Sequence, residues 1–139
     1  MKRFLIPVLA LVLALSLTAC ALNEPKAPEL TDNCFIVKVT FDTDVDVYSM
    51  LYARGNAEGG GFCYADNSKL NDVVYMTFNE DAWGDAPRMD GFVISLAPEI
   101  DGFTVEPVDI TARYGNMYYV KVSGNAESGY TIVQTESGK

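Results

Sequence analysis

The feature that most constrains this chain is the period of its apolar residues, which is two rather than 3.6 through nearly every segment beyond residue 34. In 35–41, Phe35, Val37, Val39 and Phe41 alternate with Ile36, Lys38 and Thr40. An extended chain turns successive side chains to opposite faces, so this stretch reads as a half-buried strand. In 45–52, Val45, Val47, Ser49 and Leu51 alternate with Asp46, Tyr48, Met50 and Tyr52, and the first set is expected inward. Tyr48, Met50 and Tyr52 then make either an apolar patch on the outer sheet face or a second inner face. A short strand at 62–64 follows the flexible Gly59-Gly60-Gly61. Residues 73–78 are apolar on both faces, the pattern of a central strand. Strands at 92–96, 108–113, 118–122 and 130–134 complete the set.

The segments between them (65–68, 79–91, 98–102 and 123–129) are rich in Gly, Asn, Asp or Ser. These residues favour turns, through positive φ or side-chain hydrogen bonds to the local backbone. No ten-residue window carries an apolar stripe at helical spacing. About seven to nine short strands so separated predict an all-β fold. The expected architecture is one antiparallel β-sandwich, jelly-roll or immunoglobulin-like, spanning 32–139.

The first residues follow other physics. Lys2 and Arg3 precede a run from Phe4 to Leu17 that is apolar except for Ser16 and the break at Pro7. A basic start, a short apolar run and small residues at a cut site form a secretory signal, here 1–19. The run is too short for a permanent span, which needs about 20 residues. It closes on Leu17-Thr18-Ala19-Cys20, which resembles the lipobox of bacterial lipoproteins. The resemblance implies that the Cys20 thiol is diacylglycerylated, that the leader is cut before it, and that the new amino terminus takes a further acyl chain such as palmitate. Two or three acyl chains make membrane anchoring stable where one alone does not. Residues 20–31, with Pro25, Pro28 and alternating charges, read as a flexible tether, of which 21–30 reach about 30 Å if extended at ~3.1 Å per residue. The expected address is extracytoplasmic, lipid-anchored to the cell membrane or outer membrane.

Loss of 1–19 removes Lys2 and Arg3 from the ten basic residues, so eight face 19 acidic ones, a net charge of −11. Such a domain repels nucleic acid and anionic headgroups. The acidity suits solubility in an exported protein, and equally a cationic partner or calcium. The chain has no histidine. That removes His-based triads, imidazole acid–base chemistry and His-containing zinc sites. Cys34 and Cys63 remain beside the lipidated Cys20, and two cysteines in an exported domain point to one disulfide, with a pair of reduced buried thiols as the alternative.

The carboxyl-terminal stretch carries a second, fainter likeness. Gly115-Asn116-Met117-Tyr118-Tyr119-Val120-Lys121-Val122-Ser123-Gly124, followed by Ser128-Gly129-Tyr130-Thr131-Ile132, resembles the last hairpin of bacterial extracellular β-sandwich modules, including the pre-peptidase carboxyl-terminal type. The likeness implies a fold and no activity.

Two clusters are candidate sites. Asp42, Asp44 and Asp46 form an alternating acidic row, which in a strand would share one face. Oxygen-rich clusters suit calcium, while an acidic strand edge also discourages aggregation. The helix–loop–helix calcium loop is excluded, because Val47 and Ala53 stand where its glycine and closing glutamate belong. The stretch 79–91 holds the only tryptophan, Trp83, among Glu80, Asp81, Asp85 and Asp90. Trp83 with Asp81 and Asp85 suits stacking on a sugar ring or meeting a cationic protein. The alternative is that Trp83 folds back to cap the sandwich. These features lead us to expect a non-enzymatic, membrane-anchored binding or structural protein of the cell envelope. Two other readings are an inhibitor of a cationic enzyme such as lysozyme and a carboxylate-dependent enzyme acting on glycans.

Overall fold

A computed structural model describes residues 26–44, 47–54, 57–61, 73–89, 91–100 and 103–137. The leader 1–19, Cys20, Asp46 and the strand expected at 62–64 with Cys63 lie outside the described residues.

Alternation becomes strand wherever it is strict. The elements are β1 (Cys34–Thr43), β2 (Val47–Arg54), β3 (Ala57–Gly61), β4 (Val73–Asn79), β5 (Val93–Ile100), β6 (Phe103–Thr104), β7 (Val108–Thr111), β8 (Met117–Asn125) and β9 (Gly129–Thr135). One helical turn, α1 (Glu80–Trp83), and a 3-10 turn at Ala86–Arg88 follow β4. One sheet runs β4-β1-β8-β9, and the other runs β3-β2-β5, with β6 and β7 both paired to the far side of β5. The fold is an all-β sandwich. Among the described residues its pairs are antiparallel except one: β1 lies parallel to β8, with Val39 opposite Val120.

The core forms where the inner faces meet. Phe35, Val37, Val39 and Phe41 come from β1, and Val120, Val122 and Ile132 from β8 and β9. They pack with Met50, Ile94, Leu96, Ile100 and Ile110 of the opposite sheet. Phe35 sits at the centre of an aromatic cluster, stacked on Phe78 at 4.7 Å and edge-on to Phe92 and Tyr118. No polar or charged side chain is buried among the described residues.

Several sequence expectations are corrected here. The central strand is β1, flanked by β4 and β8, and it buries both faces from Cys34 through Val37. β4 has a strand partner on one side only among the described residues. In β2 the inward residues are Met50 and Tyr52, whereas Leu51 is 40% exposed. The cause is a register slip between Val47 and Ser49 along β5. A one-residue bulge reverses the phase of everything after it. Gly59, Gly60 and Gly61 are not a free loop but lie opposite Tyr52, Leu51 and Met50 as part of β3. β5 does not stop at Leu96 but runs through Pro98 to Ile100. Finally, Glu29 and Thr31, expected in the tether, already engage the domain: Thr31 donates to the Cys34 thiol from N at 3.3 Å and Oγ1 at 3.4 Å, and Glu29 O accepts from that thiol.

Candidate functional site

The sandwich has two distinct ends. At the first, the chain enters from residues 26–31. There Asn33 O accepts from Glu80 N at 2.9 Å and Cys34 O accepts from Gly115 N at 2.8 Å. The start of β1, residues 79–89 and the turn at 114–116 are therefore gathered at this end, the entry end. At the other end Thr43 lies opposite Gly124, and Tyr130 donates to Asp44 Oδ1 at 3.4 Å. The ten residues of β1 at about 3.3 Å each separate these ends by about 30 Å.

Residues 79–89 sit firmly on the entry end. Trp83 is half-buried and its ring meets three others: Tyr52 at 5.7 Å, Phe78 at 5.8 Å and Phe92 at 5.9 Å. Tyr114 donates from its hydroxyl to Gly84 O at 2.7 Å. Arg88 donates to Asn33 Oδ1 at 2.8 Å and to Glu80 Oε2 at 3.0 Å, with its guanidinium over the Tyr114 ring. The Glu80 hydrogen bond raises the Arg88 pKa, aided by the nearby charges of Glu80 and Asp85. A recess of about 290 Å³ lies between Tyr52, Met76, Phe78, Ala82 and Trp83, and no carboxylate among the described residues lines it. Asp81 and Asp85 are both exposed. The structure thus places Trp83 as the cap of the sandwich and does not bring it together with Asp81 and Asp85 around one cavity.

The acidic row divides in a comparable way. Asp42 pairs with Lys121 of β8 at 2.8 Å, while Asp44, one residue past the end of β1, takes the Tyr130 hydroxyl. Strand alternation ends at Thr43, so these two carboxylates have different neighbours. No group of three metal-capable side chains is present among the described residues. Cys34 is a buried free thiol among them.

The larger cavity was not legible in the sequence. It is a groove of about 550 Å³ toward the end remote from the chain's entry. Val105 and Pro107 form one wall, Tyr130, Ile132 and Val133 of β9 the other, and Ala126 of the β8–β9 hairpin lines it too. Two prolines explain why the first wall is open. Phe103 and Thr104 pair with Ile100 and Glu99, and Val105 N donates to Pro98 O at 3.2 Å. Pro98 has no N–H to return. Pairing resumes at Val108 opposite Leu96, one residue out of step, so Glu106 and Pro107 bulge away from β5. The hairpin opposite is set by Asn125, whose Oδ1 accepts from Glu127 N at 3.0 Å, Ser128 N at 2.8 Å and Ser128 Oγ at 2.9 Å. Gly129 closes it at φ 83, a left-handed conformation that glycine adopts without strain. Asn125→Ala removes all three bonds and is expected to cost about 1 kcal/mol, read by urea unfolding. An unchanged midpoint would show that the hairpin holds its shape without this residue.

No protein-family model matches the chain. No curated protein matches it either. Among solved structures, the NMR structure of the protein from Eubacterium rectale is similar, with a TM-score of 0.47 and 9% identity, covering 80% of this chain and 97% of that one.

Proposed function

We propose that this chain is a lipid-anchored lipoprotein of the bacterial envelope whose β-sandwich is a non-enzymatic recognition module, and that the groove between Val105–Pro107 and β9 is its binding surface. One observation carries the reading. An apolar groove of about 550 Å³ lies toward the end opposite the chain's entry, where an anchor at Cys20 would leave it facing away from the bilayer. Its size falls within the usual range of ligand pockets, about 300–1,000 Å³. Recognition is favoured over catalysis by the surroundings of the carboxylates. Those described are exposed or half-buried, and neither of the two cavities described above is lined by two of them, the pair a carboxylate-dependent glycosidase needs.

The address and the site are tested separately. Expressed in a bacterium that processes lipoproteins, the full chain is expected to take up an alkyne-tagged palmitate and to fractionate with membranes, whereas Cys20→Ala does neither. Intact-mass detection of an unmodified Cys20, or of a retained leader, would remove the anchor. For the site, a photo-crosslinking residue at exposed Val133 is expected to trap an envelope component in intact cells, and one at Thr77 on β4 is not. Equal yields at both positions, or none at 133, would take the groove out of the function.

A further inference from the structure

The chemistry of the groove narrows what it can hold. β9 has β8 on one side and no strand on the other among the described residues. An edge strand presents unpaired N–H and C=O groups, and proteins usually blunt such edges with charge, proline or a bulge. The edge on the opposite wall is blunted in this way, because Pro107 lies in the bulge that breaks pairing between β6 and β7. β9 has no such protection. Its seven residues, Gly129-Tyr130-Thr131-Ile132-Val133-Gln134-Thr135, contain no charge and no proline, and Val133 is 48% exposed. Of the two edges beside the cavity, only β9 is prepared to pair.

The described charges beside the groove are mostly acidic, and the lysine opposite lining residue Val133, Lys121, is paired with Asp42. Glu106 lines it, Glu127 lies in the hairpin between lining residues Ala126 and Gly129, and Asp44 holds the hydroxyl of lining residue Tyr130. No lysine or arginine among the described residues lines it.

We infer that the groove takes an extended polypeptide with alternating apolar residues and basic flanks, which adds to β9 as a further strand of its sheet. The backbone of such a segment satisfies the open edge of β9. Every second side chain enters the space between Ile132, Tyr130, Val105 and Pro107, and its basic ends meet Glu106 and Glu127. An acyl chain would fill the same apolar space but add no strand beside β9, and an anionic segment would face like charge. The inference rests on the recognition reading above and names its ligand class.

The test uses the full chain purified in detergent and a fluorescent peptide of the length of β9, Lys-Val-Thr-Val-Ser-Val-Lys. Saturable binding by anisotropy is expected, weakened at least about tenfold when the lysines become glutamates, and about as much when alternate amides are N-methylated, since strand addition depends on main-chain hydrogen bonds. Thr131→Lys, at an exposed edge position, is expected to weaken the basic peptide about tenfold, and Thr131→Glu is not. Because N-methylation alters only the peptide, it decides the matter even if a variant folds poorly. Equal binding of the N-methylated peptide, equal binding of the acidic one, or no binding of any of them overturns the proposal. So does a labelled fatty acid that fills the groove instead, or a dimer dissolved by Thr131→Lys while no peptide binds. If all peptides fail and Val133 still crosslinks an envelope component, the recognition reading survives and only the ligand class falls.

Discussion

Phe35→Ala is expected to lower the free energy of unfolding by about 4 kcal/mol, read from the midpoint of urea denaturation at unchanged slope. Phe35 is fully buried on the central strand and touches rings from four other segments: Phe78, Phe92, Tyr114 and Tyr118. Truncation forfeits the transfer energy of the ring, and the surrounding cluster is held on two sheets and the turn at 114–116, so it collapses only partly into the space. A domain of this size has about 5–15 kcal/mol in total, so the variant would be marginal at growth temperature. Val133→Ala, on the exposed face of β9, is the control and should stay within about 0.5 kcal/mol. A loss at Phe35 no greater than at Val133 would mean that the aromatic cluster does not organise this core.

What was legible in the sequence depended on how local its cause was. β1 could be read to within two residues, because its alternation is strict and no bulge interrupts it. The phase of β2 could not, because the slip at 47–49 is produced by pairing with β5 and leaves no mark in the hydrophobic pattern. α1 is a single turn, too short for a 3.6-residue period to show. The parallel pairing of β1 with β8 joins segments about 80 residues apart in sequence, and alternation alone does not choose a strand's neighbour. The groove was hidden for the same reason, since residues 105–107 and 130–133 meet only through two sheets. Two of its signals were present nonetheless. Pro98 and Pro107 mark a broken edge, and the uncharged run 129–135 marks an unprotected one.

Trp83→Ala is expected to cost about 3 kcal/mol and to leave binding in the groove unchanged. Sequence alone allowed either of two roles for this residue, stacking on a ligand or capping the sandwich, and the two predict opposite outcomes. As a cap, Trp83 touches Tyr52, Phe78 and Phe92, which belong to or adjoin β2, β4 and β5, so its loss loosens the closure between the two sheets. Each aromatic pair contributes about 0.5–1.5 kcal/mol beyond the area it buries. Because the ring is only half-buried, water can enter part of the space, which keeps the cost below that at Phe35. Trp83→Phe, which preserves an aromatic face toward Phe78, should recover at least half the loss. The groove lies toward the other end of the sandwich and shares no lining residue with this cap, so peptide affinity measured below the unfolding transition should not move. A variant with an unshifted midpoint and weakened binding would return Trp83 to the recognition surface, and with it the tether end of the domain.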